Sequence, residues 1–315
     1  MKKIIGITFL FAITAIAFIS CNDLINSDNE TATGNVTVKI TDAPFPADFV
    51  EAAWITIDRV DLRKAGGECP GIQMKTQAQV GNMGKSKGDS HSNAHAYGNM
   101  EFDCDSGFVT ISVDTVALNL FELRNGVTEV LANAELPVGG YDMIRLHIVG
   151  AEIILNDGAV FPLKIPGGDT SGLKIKLDDP LEVRENEGTE LLVDFDLSRS
   201  FIVMGNSKSR KGIQGFIFKP VCRAIQESKA GVLKGFVYEE PKLAVPAATV
   251  FVVKENDTIS SAVTSEGGMY KILGLSAGTY TLSCEKEGYV KQTITDVTIS
   301  EGKSTTQDIL LVKNE

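Results

Sequence analysis

Side-chain alternation, strand after strand, is the feature of this sequence that most constrains its fold. From Gly34 onward Val36, Val38 and Ile40 alternate with polar residues, and Thr41-Asp42-Ala43-Pro44 ends the run with turn chemistry. A period of two sets one face of an extended chain against a core and the other against water. Residues 54–62 alternate again, but the apolar phase slips between Ile57 and Val60, as a β-bulge or a change of strand partner requires. Val109, Ile111 and Val113 resume the pattern. Asn125-Gly126, between two apolar runs, predicts a hairpin because both residues tolerate positive φ. Residues 141–155 read as a long strand that Asn156-Asp157-Gly158 turns into 160–165, and further strands follow at 173–177, 191–197, 201–204 and 216–225. After a polar linker at 227–230, short runs at 232–237, 249–254, 269–273, 280–284 and 292–299 alternate between turn signals. No segment keeps a helical period over three turns. The expected fold class is all-β, with two β-sandwich domains.

One pattern recurs. Leu136-Pro137-Val138-Gly139-Gly140-Tyr141 and Leu275-Ser276-Ala277-Gly278-Thr279-Tyr280 share the form Leu-x-x-Gly-x-Tyr, which predicts related hairpins pinned by an inward tyrosine. Residues 65–107 break the alternation: they are rich in Gly, Ser, Asn and Lys, with hardly any large apolar side chain after Val80. Such a stretch buries too little surface to order itself, so it is expected to be a mobile insert in the first domain. Cys69 and Cys104 flank it and are the natural disulfide pair if the chain is exported. Cys222 and Cys284 fall in strand-like runs of different domains and read as buried thiols.

The N-terminus bears on export. Lys2 and Lys3 precede an almost wholly apolar run, 4–19, that ends Phe18-Ile19-Ser20-Cys21. Two cations followed by an apolar run of this length read as a secretory signal. The Ser-Cys stop resembles the lipobox of bacterial lipoproteins. That resemblance implies removal of residues 1–20, lipidation of Cys21 and a flexible tether over 21–34. Asn22 suits sorting to the outer membrane, with the periplasmic and the cell-surface face both open. The formal charge is −11, and loss of the signal, with its two lysines and no acid, makes it −13. An acidic chain argues against nucleic acid, whose phosphates need cations. It also disfavours holding an anionic membrane by surface charge, so the acyl chains, at about 0.8 kcal/mol per buried CH₂, would do the anchoring. No later apolar stretch reaches the roughly 20 residues of a spanning helix.

Two family resemblances follow. Residues 231–315 resemble the carboxypeptidase regulatory-like domain, a transthyretin-like sandwich grouped with carbohydrate-binding-like folds. The matching residues are Gly235-Phe236-Val237, Val245-Pro246-Ala247-Ala248-Thr249-Val250, Thr264-Ser265-Glu266-Gly267-Gly268-Met269-Tyr270, Leu275 to Tyr280 and Lys286-Glu287-Gly288-Tyr289. Residues 35–226 resemble DUF4382, a domain of unknown function. The cues are Thr41-Asp42-Ala43-Pro44, Gly140-Tyr141, Ile144-Arg145-Leu146, Ser171-Gly172-Leu173-Lys174-Ile175, Val193-Asp194-Phe195-Asp196 and Lys219-Pro220-Val221. This second resemblance implies architecture and brings no catalytic residues.

Candidate chemistry is sparse. Gly274-Leu275-Ser276-Ala277-Gly278 spells a nucleophile elbow, but that device needs a strand-to-helix turn and a later histidine, and His91, His95 and His147 all precede it. His91 and His95, with Asp89, Glu101 and Asp103, would share one face of a helix, but the surrounding Gly, Ser and Asn oppose a helix, so a solvated loop is expected, with Zn or Cu binding the alternative when the disulfide closes the insert. Asp178-Asp179, before Pro180, reads as a turn. Asp194 and Asp196 read as a solvated or hydrogen-bonded strand face rather than calcium ligands. Lys208, Arg210 and Lys211 form a basic tip expected to serve solubility. Trp54 is expected in the core, which leaves Tyr97 in the insert as the candidate ligand contact. These readings point to a non-catalytic lipoprotein without cofactor or metal, binding a glycan or an envelope partner. The alternative is a structural or assembly component.

Overall fold

A computed structural model describes residues 32–43, 49–67, 94–97, 100–103, 106–167, 171–205 and 212–314, with the backbone alone given for 94–97 and 100–102. Alternation becomes strand nearly throughout. The first half contributes β1 (Thr33–Ala43), β2 (Val50–Lys64), β3 (Ala94–Tyr97), β4 (Met100–Asp103), β5 (Phe108–Ser112), β6 (Val116–Asn119) and β7 (Glu129–Pro137). After them come β8 (Gly139–Leu155), β9 (Val160–Pro162), β10 (Leu173–Val183), β11 (Gly188–Asp196), a four-residue helix α1 (Leu197–Ser200), β12 (Phe201–Gly205), β13 (Ile213–Phe218) and β14 (Cys222–Gln226). One sheet runs β14-β11-β1-β7, with β1 parallel to β11. The other runs β10-β8-β2-β5-β4-β3, with β6 added to β2 and β9 to β8, and β12 and β13 form a separate ribbon. The alternating residues Val36, Val38 and Ile40 of β1 are fully buried in one cluster with Ile55, Leu62, Ile144 and Leu146 of the facing sheet. The phase slip is a bulge: Ile57 pairs with Ile148 and Arg59 with His147, so Asp58 is the extra residue.

The second half is also a sandwich. Its strands are β15 (Gly231–Glu239), β16 (Leu243–Ala244), β17 (Thr249–Lys254), β18 (Asp257–Val263), β19 (Met269–Leu275) and β20 (Gly278–Glu285), followed by β21 (Tyr289–Val290), β22 (Gln292–Ile299), β23 (Ser304–Thr306), β24 (Ile309–Leu310) and β25 (Val312–Lys313). A sheet β16-β15-β19, with β23 and β24 added along β15, faces a sheet β18-β17-β20-β22. Leu233, Val237, Val250, Val252, Tyr270 and Leu282 fill a second core, separate from the first.

The Leu-x-x-Gly-x-Tyr motif does the same work in both sandwiches, although not in hairpins. It carries the chain from one sheet to the facing sheet, from β7 to β8 and from β19 to β20. Leu136 and Leu275 are fully buried, and Gly139 and Gly278 take φ of 131° and 158°. Tyr141 Oη donates to the Pro137 carbonyl at 2.9 Å, and Tyr280 Oη to the Ser276 carbonyl at 2.8 Å. Each hydroxyl ties off a carbonyl that the corner leaves without a strand partner.

Three expectations need correction. Asn125 and Gly126 do take φ of 56° and 82°, but they join a 3₁₀ turn, Leu120–Leu123, to β7. Its neighbours β6 and β7 pair with β2 and β1, so no hairpin forms. Asp178-Asp179-Pro180 is not a turn; it lies inside β10, where the register on β8 jumps from Lys176 to Leu181. Nor is the insert patternless to residue 107, because β3 and β4 pair and extend the large sheet beyond β5. Local composition is polar there, and pairing with an existing sheet edge supplies the hydrogen bonds that composition could not foretell.

Candidate binding surface

The second sandwich leaves one sheet face uncovered. Along β15, Leu233, Gly235 and Val237 point into the core, so Lys234, Phe236 and Tyr238 point out. Directly opposite residues share a face: Met269 lies beside Phe236, Lys271 beside Lys234, and Ala244 and Leu310 on either side of Tyr238. Phe236 is 51% exposed, Met269 43% and Leu310 37%, which makes a contiguous apolar area. A pocket of about 270 Å³ opens within it, lined by Phe236, Tyr238, Lys242, Ala244, Gly267 and Asp308. Asp308 accepts the Phe236 backbone N–H at 2.9 Å, which fixes the strand beneath the ring. Gly235 is obligatory there because a Cβ would collide with the Gln307 carbonyl. Beyond the aromatic residues, Glu239 accepts from Tyr289 Oη and Lys313 Nζ, both at 3.0 Å, and Lys313 holds the Glu239 carboxyl below its ordinary range.

A second constellation is buried. The strand ends β1 and β11, side by side, bring Thr41-Asp42 against Asp194-Phe195-Asp196. Asp194 Oδ2 accepts from Arg223 Nη2 at 2.6 Å and from Ser260 Oγ of the second sandwich at 3.3 Å. Asp196 caps α1 through the Arg199 N–H and pairs with Arg199 Nε at 2.6 Å. Asp42 takes the core position after Ile40, where its Oδ1 accepts the Leu197 N–H at 3.3 Å and its Oδ2 has no partner. Burial, then the charge of Asp194, raises the Asp42 carboxyl well above its ordinary value; burial also outweighs Arg223 and raises Asp194. Of the two expectations for this strand face, solvated or hydrogen-bonded, the second holds: both carboxylates are buried and hydrogen-bonded, and through Ser260 the face meets the second sandwich.

Most residues singled out from sequence are not gathered into either place. Cys21, Cys69, Cys104, His91, Asp89, Lys208, Arg210 and Lys211 lie outside the described residues, and Tyr97 and His95 lie on β3, whose side chains are not described. The backbone at His95 is a strand and not a helix. Trp54 is not core: it sits half-buried on the outer face of β2, between Asn119 and Glu152. Ser276 only presents its carbonyl to Tyr280. Cys222 and Cys284 are free thiols, Cys222 half-buried and Cys284 buried, and burial pushes the Cys284 thiol up to about 12. Among the described residues, no three His, Cys, Asp or Glu side chains are placed to hold a metal ion. Sequence reasoning missed Phe236 and Tyr238, although two aromatics in the polar phase of a strand, Lys234-x-Phe236-x-Tyr238, were legible.

Residues 33–220 match the family model described as domain of unknown function DUF4382. The chain belongs to the DUF4382 family. Residues 232–312 of this DUF4382 protein match the carboxypeptidase regulatory-like domain. No curated protein matches the sequence. Among solved structures, a type II cohesin–X-dockerin complex from Acetivibrio cellulolyticus, an N-terminal interface mutant, is 25% identical with a TM-score of 0.23 over 26% of this chain. The chain spans 58% of the length of that relative. The minor pilin GBS52 of Streptococcus agalactiae is 11% identical, covering 89% of this chain and 96% of its own, with a TM-score of 0.24. A mutant form of the shaft pilin SpaA of Lactobacillus rhamnosus GG is 10% identical over 90% and 100%, also at 0.24. Scores of this size carry no argument about function.

Proposed function

We propose that this protein is a non-catalytic binding module of the cell envelope, held at the outer membrane by lipid on Cys21, that docks a partner protein on the face around Phe236. The observation that carries the reading is the run of exposed Phe236, Met269 and Leu310 beside half-buried Tyr238 on one sheet face. Burying side chains of this size is favourable by about 1.5–3 kcal/mol each. A glycan is the alternative occupant, for which Tyr238, Lys242 and Asp308 would supply the polar contacts. Lys234, Lys242 and Lys271 rim the face of a chain whose net charge is −11, so the fitting partner carries acidic residues around an apolar centre.

The test is capture from outer-membrane extracts by residues 31–315, beside a polysaccharide panel, with Phe236→Ser/Tyr238→Ser as the comparison. Capture of a defined protein, lost in the double variant and weakened by salt, is expected. Retention on polysaccharide instead, or capture indifferent to the double variant, would overturn the reading. Radiolabelled palmitate should label the wild-type chain and fail to label Cys21→Ala.

A further inference from the structure

We infer that the outer face of β2 around Trp54 is a separate binding site, on the first sandwich, for a neutral glycan. Ala53, Ile55 and Ile57 of β2 are buried in the core, so Trp54 and Thr56 point out of the sandwich. Trp54 is the single tryptophan of the chain, half-buried, and it belongs to neither core. An apolar ring with a polar N–H at its edge suits a surface where one part of the contact is dry and the other wet. Cross-strand pairing sets its surroundings. Asn119 of β6 and Glu152 of β8 lie directly opposite Trp54 on either side, and Ala117 and Gly150 lie likewise beside Thr56. That second row is low. A Cβ at Gly150 would come within 3.1 Å of Thr56 Oγ1, so glycine there leaves the hydroxyl uncovered next to the ring.

The polar groups of this face divide into fixed and available. Asn119 is fixed: its Oδ1 accepts the Ala53 and Phe121 N–H groups at 3.3 and 3.2 Å, and its Nδ2 donates to Glu122 at 3.1 Å. Among the described residues, the Trp54 indole N–H, the Thr56 hydroxyl and the Glu152 carboxylate have no hydrogen-bond partner, and none of their polar atoms is enclosed. A flat ring beside one donor, one hydroxyl and one carboxylate matches a pyranose. The C–H face of the sugar packs on the ring, and its hydroxyls donate to the carboxylate and accept from the N–H. Charge then selects among glycans. Glu152 and Glu122 stand near the ring on a chain of net charge −11, and the strand partners of Trp54 and Thr56 include no Lys or Arg. A uronate or sulfated sugar would be repelled there, and a neutral one is not.

Trp54 is its own reporter, because excitation beyond the tyrosine band reads its emission alone. The test titrates residues 31–315, a single compact unit, with maltohexaose, cellohexaose and mannohexaose, and with oligogalacturonate as the acidic counterpart. At least one neutral oligosaccharide is expected to change the emission saturably, with oligogalacturonate silent. Glu152→Gln, which keeps the shape and removes the charge, should weaken that binding roughly tenfold. Affinity electrophoresis in the matching polysaccharide should lose its retardation in Trp54→Ala and keep part of it in Trp54→Phe. Should Trp54→Ala fail to fold, the wild-type titration and Glu152→Gln still decide. A wild type whose emission no neutral oligosaccharide changes would overturn the proposal. So would a preference for oligogalacturonate, or binding that Glu152→Gln and Trp54→Ala leave unchanged. Phe236→Ser/Tyr238→Ser should keep the full sugar response, and a response lost in that variant would place the glycan on the second sandwich and overturn the Trp54 site. Protein capture on the Phe236 face does not involve Trp54, so failure here leaves the partner reading standing.

Discussion

At Asp42 a carboxyl occupies the position that the alternation Val36, Val38, Ile40 reserves for a core side chain. Among the described residues its hydrogen-bond partner is the Leu197 N–H, and Asp194, Asp196 and Arg124 are the charges that act on it, with Arg223 and Arg199 engaged by its acidic neighbours. The folded chain thus holds a proton that the unfolded chain releases near pH 4. As the raised value lies in the folded state, stability is highest below that pH and falls as pH rises toward the folded pKa, by about 1.4 kcal/mol for each unit of the elevation. Asp42→Asn keeps the shape and the donor without the titration. It should match the wild type near pH 3, exceed it in stability at pH 7, and remove part of the pH slope in urea unfolding. A variant that is less stable than the wild type at pH 7 would contradict this account.

At the scale of the element, the two sheet-crossing corners and the base of the insert are the instructive parts. Tyr141 is fully buried, and its hydroxyl is the partner of the Pro137 carbonyl, so Tyr141→Phe strands a buried acceptor. That change should cost about 1–2 kcal/mol in chemical denaturation, and Tyr280→Phe, at a less enclosed bond, about 0.5–1.5. The two costs should add, because the corners belong to separate cores. At the insert, the Lys64 N–H donates to the Gly107 carbonyl at 3.0 Å and the Gly107 N–H to the Asp103 carbonyl at 2.8 Å, so its two ends meet at residues close in sequence to Cys69 and Cys104. We propose that these two cysteines are bonded in an exported chain. Peptide mass mapping without reductant should find Cys69 joined to Cys104, with Cys222 and Cys284 as thiols.

The whole molecule depends on a polar junction. Ser260 Oγ donates to Asp194 at 3.3 Å, Asn125 Nδ2 to the Val263 carbonyl at 3.1 Å and Arg223 Nη2, which also holds Asp194, to the Leu273 carbonyl at 3.4 Å, and these bonds tie one sandwich to the other. Leu192 and Ile225 close over Gly274 beside them. Two cores joined this way should melt together, with a single calorimetric transition. Arg223→Ala leaves Asp194 buried without its cation, at a cost of about 3 kcal/mol, and should resolve the transition into two.

The sequence by itself determined strand content, the phase slip near Asp58, both tyrosine corners as turns and the two family resemblances. Each of these rests on chemistry local to a few residues, or on a period that any window displays. Only the tertiary structure decided that the corners cross between sheets, that β3 and β4 extend a sheet from a polar insert, and that Asp194 faces Ser260 instead of water. It alone also showed which face of β15 stays uncovered. Strand order and facing are set by partners far away in sequence, and a period of two states that a strand has two faces without saying what lies against either.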